Sequence, residues 1–257
     1  MASRSIELFL SCEEAVTRGA LIERTSRRDK EFAVQHWVRD RLDETGIGYV
    51  ESGRNVYPDF LLEGEPSEGF EVKGLAYPGR EVDFDANSAA PAGEHQGRTI
   101  YYVFVRYPDT EENRYAPSDL VVCHGDVMNP TRGYVHKNRS FRTFGGYGDI
   151  MIRDRKMYVV RTPYDIAEGL AGQRTLIVPA EERVPDELVR VGEFTRVEAD
   201  KVAVGYTFDL TTNEIKVIDK ANPSAGTRHT FAAYRVRGTD GGSTVELAAR
   251  EPRRTRR

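Results

Sequence analysis

Apolar positions in this chain follow two spacings, and the change from one to the other marks its elements. From Ser26 to about Glu44 they recur at Val34, Trp37, Val38 and Leu42, the steps of one buried helical face. Ser26-Arg27-Arg28-Asp29 resembles a capping box, which predicts a helix opening there. Glu31 precedes Val34 by three and Val38 by seven, so an acid shares that apolar face. Gly46-Ile47-Gly48-Tyr49-Val50 then ends the helix and begins a strand. Two strand-like runs follow, Val56–Leu62 and Gly69–Leu75, around a Pro- and Gly-bearing loop that reads as a hairpin connection. Arg98–Tyr107 is the strongest β run, too apolar on both faces for an edge strand, and Asp119–Cys123 predicts another buried strand. Met1–Cys12 fits a first strand or helix.

The pattern changes after Pro179. Alternating runs at Lys201–Phe208, Glu214–Ile218 and Thr230–Val236, with a hairpin loop at Asp209–Asn213, predict a β-rich appendage over 180–257 beside a core over 1–179. There is no internal repeat. The 22 residues from Ala76 to Gly97 read as a long insertion, and loops of that length inside a compact domain are usually functional or disordered.

At 257 residues, 39% hydrophobic and 30% charged, the chain has the composition of a soluble globular protein. No apolar run approaches a membrane span, and the acid in the first apolar stretch makes a poor signal peptide. Cys12 and Cys123 form neither a disulfide framework nor a zinc cluster, and are expected to be buried, reduced thiols in the cytoplasm. The net charge of −4 argues against a polyanionic partner until its distribution is seen. Eight acids against Lys73 and Arg80 give Glu63–Glu94 a local −6, whereas eight bases against three acids give His124–Arg161 a local +5. The tail from Arg250 has five arginines against Glu251. An acidic site region with separate basic surfaces suits a metal-dependent enzyme acting on a polyanion.

The chemistry concentrates on the two motif runs. Alternation puts Glu71 and Lys73 on one face of a strand, with Phe70, Val72 and Gly74 on the other. Folding the hairpin can bring Asp59 opposite them. Two carboxylates then offer hard oxygen ligands for Mg²⁺ with a lysine beside them. Pro58-Asp59 followed by Glu71-Val72-Lys73 resembles the two half-motifs of the PD-(D/E)XK nuclease superfamily. The resemblance implies an α/β fold with a mixed central sheet and a restriction endonuclease-like core in αβββαβ order, to which the chain's own pattern adds the β-rich C-terminal extension. Asp59, Glu71 and the Val72 carbonyl would hold one or two Mg²⁺ ions. Lys73 would orient or deprotonate the attacking water, or stabilise the transition state. Glu31 best matches the auxiliary acid that such enzymes often place on the preceding helix, and an ordinary first-turn acid is the alternative. The family usually has a helix between positions equivalent to Lys73 and Thr99; none is evident here, and the segment Tyr164–Leu170 is the next candidate.

Among such nucleases, a stand-alone chain of this size is most similar to type II restriction endonucleases. That resemblance implies a homodimer cutting double-stranded DNA to 5′-phosphate and 3′-hydroxyl ends, paired in function with a DNA methyltransferase. Asn87, Ser88 and Gln96 in the long insertion are candidate DNA contacts. So are Arg132, His136, Lys137, Asn138, Arg139 and Arg142, in a basic segment interleaved with aromatics. A structure-selective repair nuclease, a junction resolvase and a non-catalytic DNA-binding module are the alternatives. The histidines are too scattered for a zinc site, His136-Lys137-Asn138 lacks the partners of an HNH motif, and neither a phosphate-binding P-loop nor a Gly-x-Ser-x-Gly elbow occurs.

Overall fold

The computed structural model describes residues 3–25, 32–53, 56–79, 83–86, 91–129, 151–153, 157–165, 174–212 and 214–239. In chain order the elements are α1 (Arg4–Thr17), β1 (Ile22–Glu23), α2 (Phe32–Thr45), β2 (Tyr49–Glu51), β3 (Phe60–Leu62), β4 (Glu68–Tyr77), β5 (Asp83–Ala86), β6 (Glu94–His95), β7 (Arg98–Pro108), β8 (Arg114–Tyr115) and β9 (Asp119–His124). They continue with β10 (Met151–Arg153), β11 (Met157–Arg161), β12 (Arg174–Pro179), β13 (Leu188–Val197), β14 (Lys201–Asp209), β15 (Glu214–Ala221) and β16 (Arg228–Val236). The result is mixed α/β, with a large mixed sheet and few helices.

A nine-stranded sheet organises the molecule, in the order β13-β16-β12-β9-β7-β4-β3-β2, with β6 added beside β7. β2, β3 and β4 form an antiparallel meander, and β7 lies parallel to β4. β9 is antiparallel to β7, and β12 is parallel to β9. β7 occupies the interior of the sheet because Ile100 through Val105 are all buried, which only a strand covered on both faces can satisfy.

The two faces of the sheet bury different layers. α1 presents Ile6, Leu8, Phe9, Cys12 and Ala15, and α2 presents Ala33, Val34, Trp37, Val38 and Leu42, to Phe70, Val72, Val103, Val105 and Val122. These are the three- and four-residue steps of an amphipathic helix meeting the two-residue step of a strand. Ser3 caps α1, its hydroxyl accepting from the Ser5 amide. On the opposite face Tyr102, Phe104, Val121 and Cys123 pack with Phe84 of β5, and β5 belongs to a small β10-β11-β5 sheet. Cys12 and Cys123 are free and fully buried.

Several expectations are revised. The N-terminal stretch, expected as a strand or a helix, is the helix α1. The connection from β4 to β7 contains no helix among its described residues; β5 and β6 occupy part of the supposed loop of Ala76–Gly97. Near Tyr164 there is a single 3-10 turn at Pro163–Asp165, and the rest of the candidate helical segment lies outside the described residues. Strands β10, β11 and β13 were not anticipated. Beyond Pro179 the chain is β-rich, and β13 and β16 extend the central sheet through β12, whereas β14 and β15 pair with each other as a separate ribbon. No helix among the described residues is long and apolar enough to cross a membrane.

Candidate functional site

The β3–β4 hairpin sets the positions of the three charged motif residues. Its register pairs Phe60 with Phe70 and Leu61 with Gly69, so continuing it one residue places Asp59 opposite Glu71. Residues directly opposite in an antiparallel pair share a face. Phe60, Phe70 and Val72 are buried in the helix-side core, which leaves Asp59, Glu71 and Lys73 to the other face. Gly69 makes this close approach possible. A Cβ there would lie 2.9 Å from Pro58 Cγ and 3.0 Å from the Phe60 carbonyl oxygen, so the glycine seats the Pro58-Asp59 turn against β4. One turn of strand further on, a Cβ at Gly74 would lie 2.8 Å from Val34 Cγ2, so α2 presses on β4 immediately behind Lys73.

Within this group, Asp59 Oδ2 accepts from the Val72 amide at 2.8 Å. Lys73 Nζ donates to Glu71 Oε1 at 2.6 Å. The Glu71 side chain is 9% exposed and that of Lys73 is 21% exposed, so the acid is nearly enclosed while the ammonium reaches solvent. A buried carboxylate is tolerated because the lysine balances its charge. The Val72 amide in turn holds Asp59 in a fixed orientation.

An aromatic wall completes the site. Glu71 lies beside Tyr102 in the parallel β4–β7 register, and the Tyr102 and Tyr57 hydroxyls are 3.0 Å apart. The Tyr57 hydroxyl also accepts from the Ala92 backbone. Burial, reinforced by the negative charge of Glu71, raises both phenols well above their ordinary range, so they remain protonated. The His95 ring stands edge-on to Tyr57 with centroids 4.9 Å apart. Burial lowers its pKa and Glu71 opposes that shift, leaving a neutral imidazole near pH 7. His95 is fixed by a tight hairpin, in which Gln96 and Gly97 both have positive φ (51° and 75°). Behind it, Gly93 donates to Asp126 Oδ1 at 3.1 Å, and the Asp126 amide donates to His124 Nδ1 at 3.1 Å.

Tyr57, Tyr102 and His95 were not singled out from the sequence. Tyr57 had a legible signal, since it stands two positions before Asp59 in the same motif run. Tyr102 was hidden in a uniformly apolar run, and His95 depends on a hairpin that composition did not reveal. Gln96 is exposed at the tip of that hairpin. Glu31, Asn87, Ser88, Arg132, His136, Lys137, Asn138, Arg139 and Arg142 lie outside the described residues.

The arrangement fits a divalent cation by the chemistry of its donors. Asp59 and Glu71 are two hard oxygen donors on one face, and Mg²⁺ typically takes one or two carboxylates and keeps waters or substrate phosphates for the rest. No group of three or more metal-ligating side chains occurs among the described residues. A second buried acid, Glu68, belongs to the opposite face. It accepts from Ser3 and from the backbone at Arg4 and Ser5, at the start of α1, and burial pushes its pKa up to about 7. It caps a helix and takes no part in the site.

No family model matches this sequence, and no curated protein and no solved structure gives a significant match.

Proposed function

We propose that this protein is a Mg²⁺-dependent endonuclease of the PD-(D/E)XK type that hydrolyses double-stranded DNA, acting as a type II restriction enzyme. The observation that supports the reading best is the opposition of Asp59 to Glu71 and Lys73 on one face of a β-hairpin. The meander of β2, β3 and β4 with β7 parallel beside it agrees with the order such a core requires. The β5–β6 crossover, where that family usually has a helix, is a departure from it.

Each residue then has a chemical task. Asp59 and Glu71 would hold Mg²⁺, and the Val72 carbonyl is the third candidate ligand. When bound, the ion neutralises charge on the phosphate and lowers the pKa of a bound water. Lys73, paired with Glu71 at 2.6 Å, stands beside the carboxylates that would hold the ion. Its ammonium would orient the attacking water or stabilise charge on the phosphate, and only its neutral amine form would take a proton from that water. Tyr57 and Tyr102 close the buried side of the site and keep bulk water from Glu71. His95 offers a neutral hydrogen-bonding edge at the open side. Attack by water and loss of the 3′-oxygen leaves a 5′-phosphate and a 3′-hydroxyl. In this reading a symmetric pair of subunits cuts both strands, and a partner methyltransferase protects the host's own sites.

One observation favours a second reading, a DNA-binding module without catalysis. Asp59 is held by the Val72 amide and Glu71 by Lys73, contacts that could also serve structure alone. Digestion of long, unmethylated phage DNA with Mg²⁺ or EDTA, beside Lys73→Ala, separates the two. Sharp Mg²⁺-dependent bands absent from the variant are expected. Intact DNA with retained binding in every condition would favour the module, and a smear would keep the nuclease while removing sequence specificity.

A further inference from the structure

The ribbon of β14 and β15 is poorly accounted for by the rest of the fold. Its strands pair with each other and, among the described residues, with no other strand. Lys216 through Ala221 are all exposed. Val217 is 55% and Ile218 is 48% exposed, and Leu210 at the tip is 75% exposed. Successive residues of a strand point to opposite faces, so exposure of both Val217 and Ile218 leaves both faces of β15 open at these two positions. A two-stranded ribbon alone in water is at best marginally stable. From 201 to 221, Lys201, Lys216 and Lys220 balance Asp209, Glu214 and Asp219, giving zero net charge. The ribbon therefore lacks the basic excess that a nucleic-acid backbone selects, and its alternating signs suit a surface of the same kind.

We infer that β15 pairs antiparallel with β15 of a second copy of this chain, across a twofold axis through Val217. A twofold axis makes the contact self-complementary, and matching outward N–H and C=O groups requires the axis to pass through a residue. Centred on Val217, the register sets Glu214 opposite Lys220 of the second copy, and the symmetry repeats that ion pair. Val217 then meets itself, and Lys216 lays its aliphatic stem along Ile218. The neighbouring registers fail. Centring on Lys216 opposes that lysine to itself, centring on Ile218 opposes Lys216 to Lys220, and centring on Asp219 opposes two aspartates. Like charges directly opposite in a sheet are destabilising. Edge lysines usually guard against strand addition, and only this register gives Lys220 an acid. The inference stands on the ribbon alone and needs nothing from the nuclease reading.

The test uses the full chain. Opposed Cα atoms in an antiparallel pair lie about 4.5–5.5 Å apart, within disulfide reach, whereas residues offset by two lie roughly 7–8 Å apart, beyond it. Val217→Cys should form a covalent dimer under mild oxidation, and Lys216→Cys should not. The native thiols, Cys12 and Cys123, are fully buried and stay silent. In light scattering and sedimentation, Glu214→Lys or Lys220→Glu alone should weaken the dimer at least about tenfold, and the double reversal should restore it. Because these side chains are exposed, the fold should survive each change. A monomer at about 100 μM would overturn the inference. So would a dimer indifferent to all three charge variants, or equal cross-linking at positions 216 and 217. Charge variants that alter DNA retention by a monomer would assign the ribbon to DNA instead.

Discussion

Lys73 is the residue at which structure and chemistry can be separated most cleanly. Its ammonium sits 2.6 Å from Glu71 yet reaches solvent, so the side chain both balances a buried acid and faces the site. Lys73→Ala should reduce DNA cleavage by roughly 10²–10⁴-fold, the usual range for a positioned proton-transfer group, while binding measured by gel shift in Ca²⁺ persists. Cleavage within a factor of three of the parent would remove Lys73 from the reaction. Glu68 makes a complementary prediction about stability. Its folded pKa is raised to about 7 by burial, above the ordinary glutamate value. The native state therefore holds a proton that the unfolded chain releases, and stability falls as pH rises through the window from about 4.5 to 7. Glu68→Gln should remove that decline, a difference on the order of 1–3 kcal/mol at pH 8, read from denaturant midpoints across pH. An identical pH dependence in both proteins would mean that the carboxyl remains ionised in its cap.

At the scale of elements, the contact between α2 and β4 couples the core to the site. Gly74→Ala would drive a Cβ to within 2.8 Å of Val34 Cγ2, and Val34 is stiff and fully buried. The strand must shift to relieve this, at a cost of about 1–3 kcal/mol, and Lys73 must shift with it. Thermal unfolding should move down, and cleavage should drop more than the stability loss alone explains. An unchanged melting temperature would show that helix and strand can part without cost. Elements whose signal was local were legible in the sequence: the α2 stripe, the β3–β4 hairpin and the uniformly apolar β7. The alternation that put Glu71 and Lys73 on one face holds because period two is a property of the strand itself. What escaped was set by distant partners. β13 alternates weakly because a bulge after Arg190 interrupts its pairing with β16. β5 is four residues that gain meaning only from β11, and β6 only two that gain it from β7. The His95 position follows from that last pairing, so no local pattern announced it.

For the whole molecule, the candidate site lies where the motif hairpin meets the interior of the central sheet, so its occupancy should be felt by global unfolding. A cation bound by Asp59 and Glu71 requires β3 and β4 paired, and the unfolded chain offers no such arrangement. Binding to the native state alone adds stability as the logarithm of saturation, about 2.7 kcal/mol at one hundred times Kd. A chain of this size gains roughly 2–4 °C in melting temperature per kcal/mol, so saturating Ca²⁺ or Mg²⁺ should raise the midpoint by about 5–10 °C. Asp59→Asn is the informative variant, because the amide oxygen can still accept from Val72 while the charge is lost. In that variant the rise should disappear, and the midpoint in EDTA should stay near the parent's. The measurement needs no DNA and no turnover, so it tests the metal separately from the reaction. A full shift in Asp59→Asn would place the cation elsewhere. No shift in either protein would leave Asp59 and Glu71 as structural acids, and the non-catalytic reading would then account better for the Lys73 ion pair.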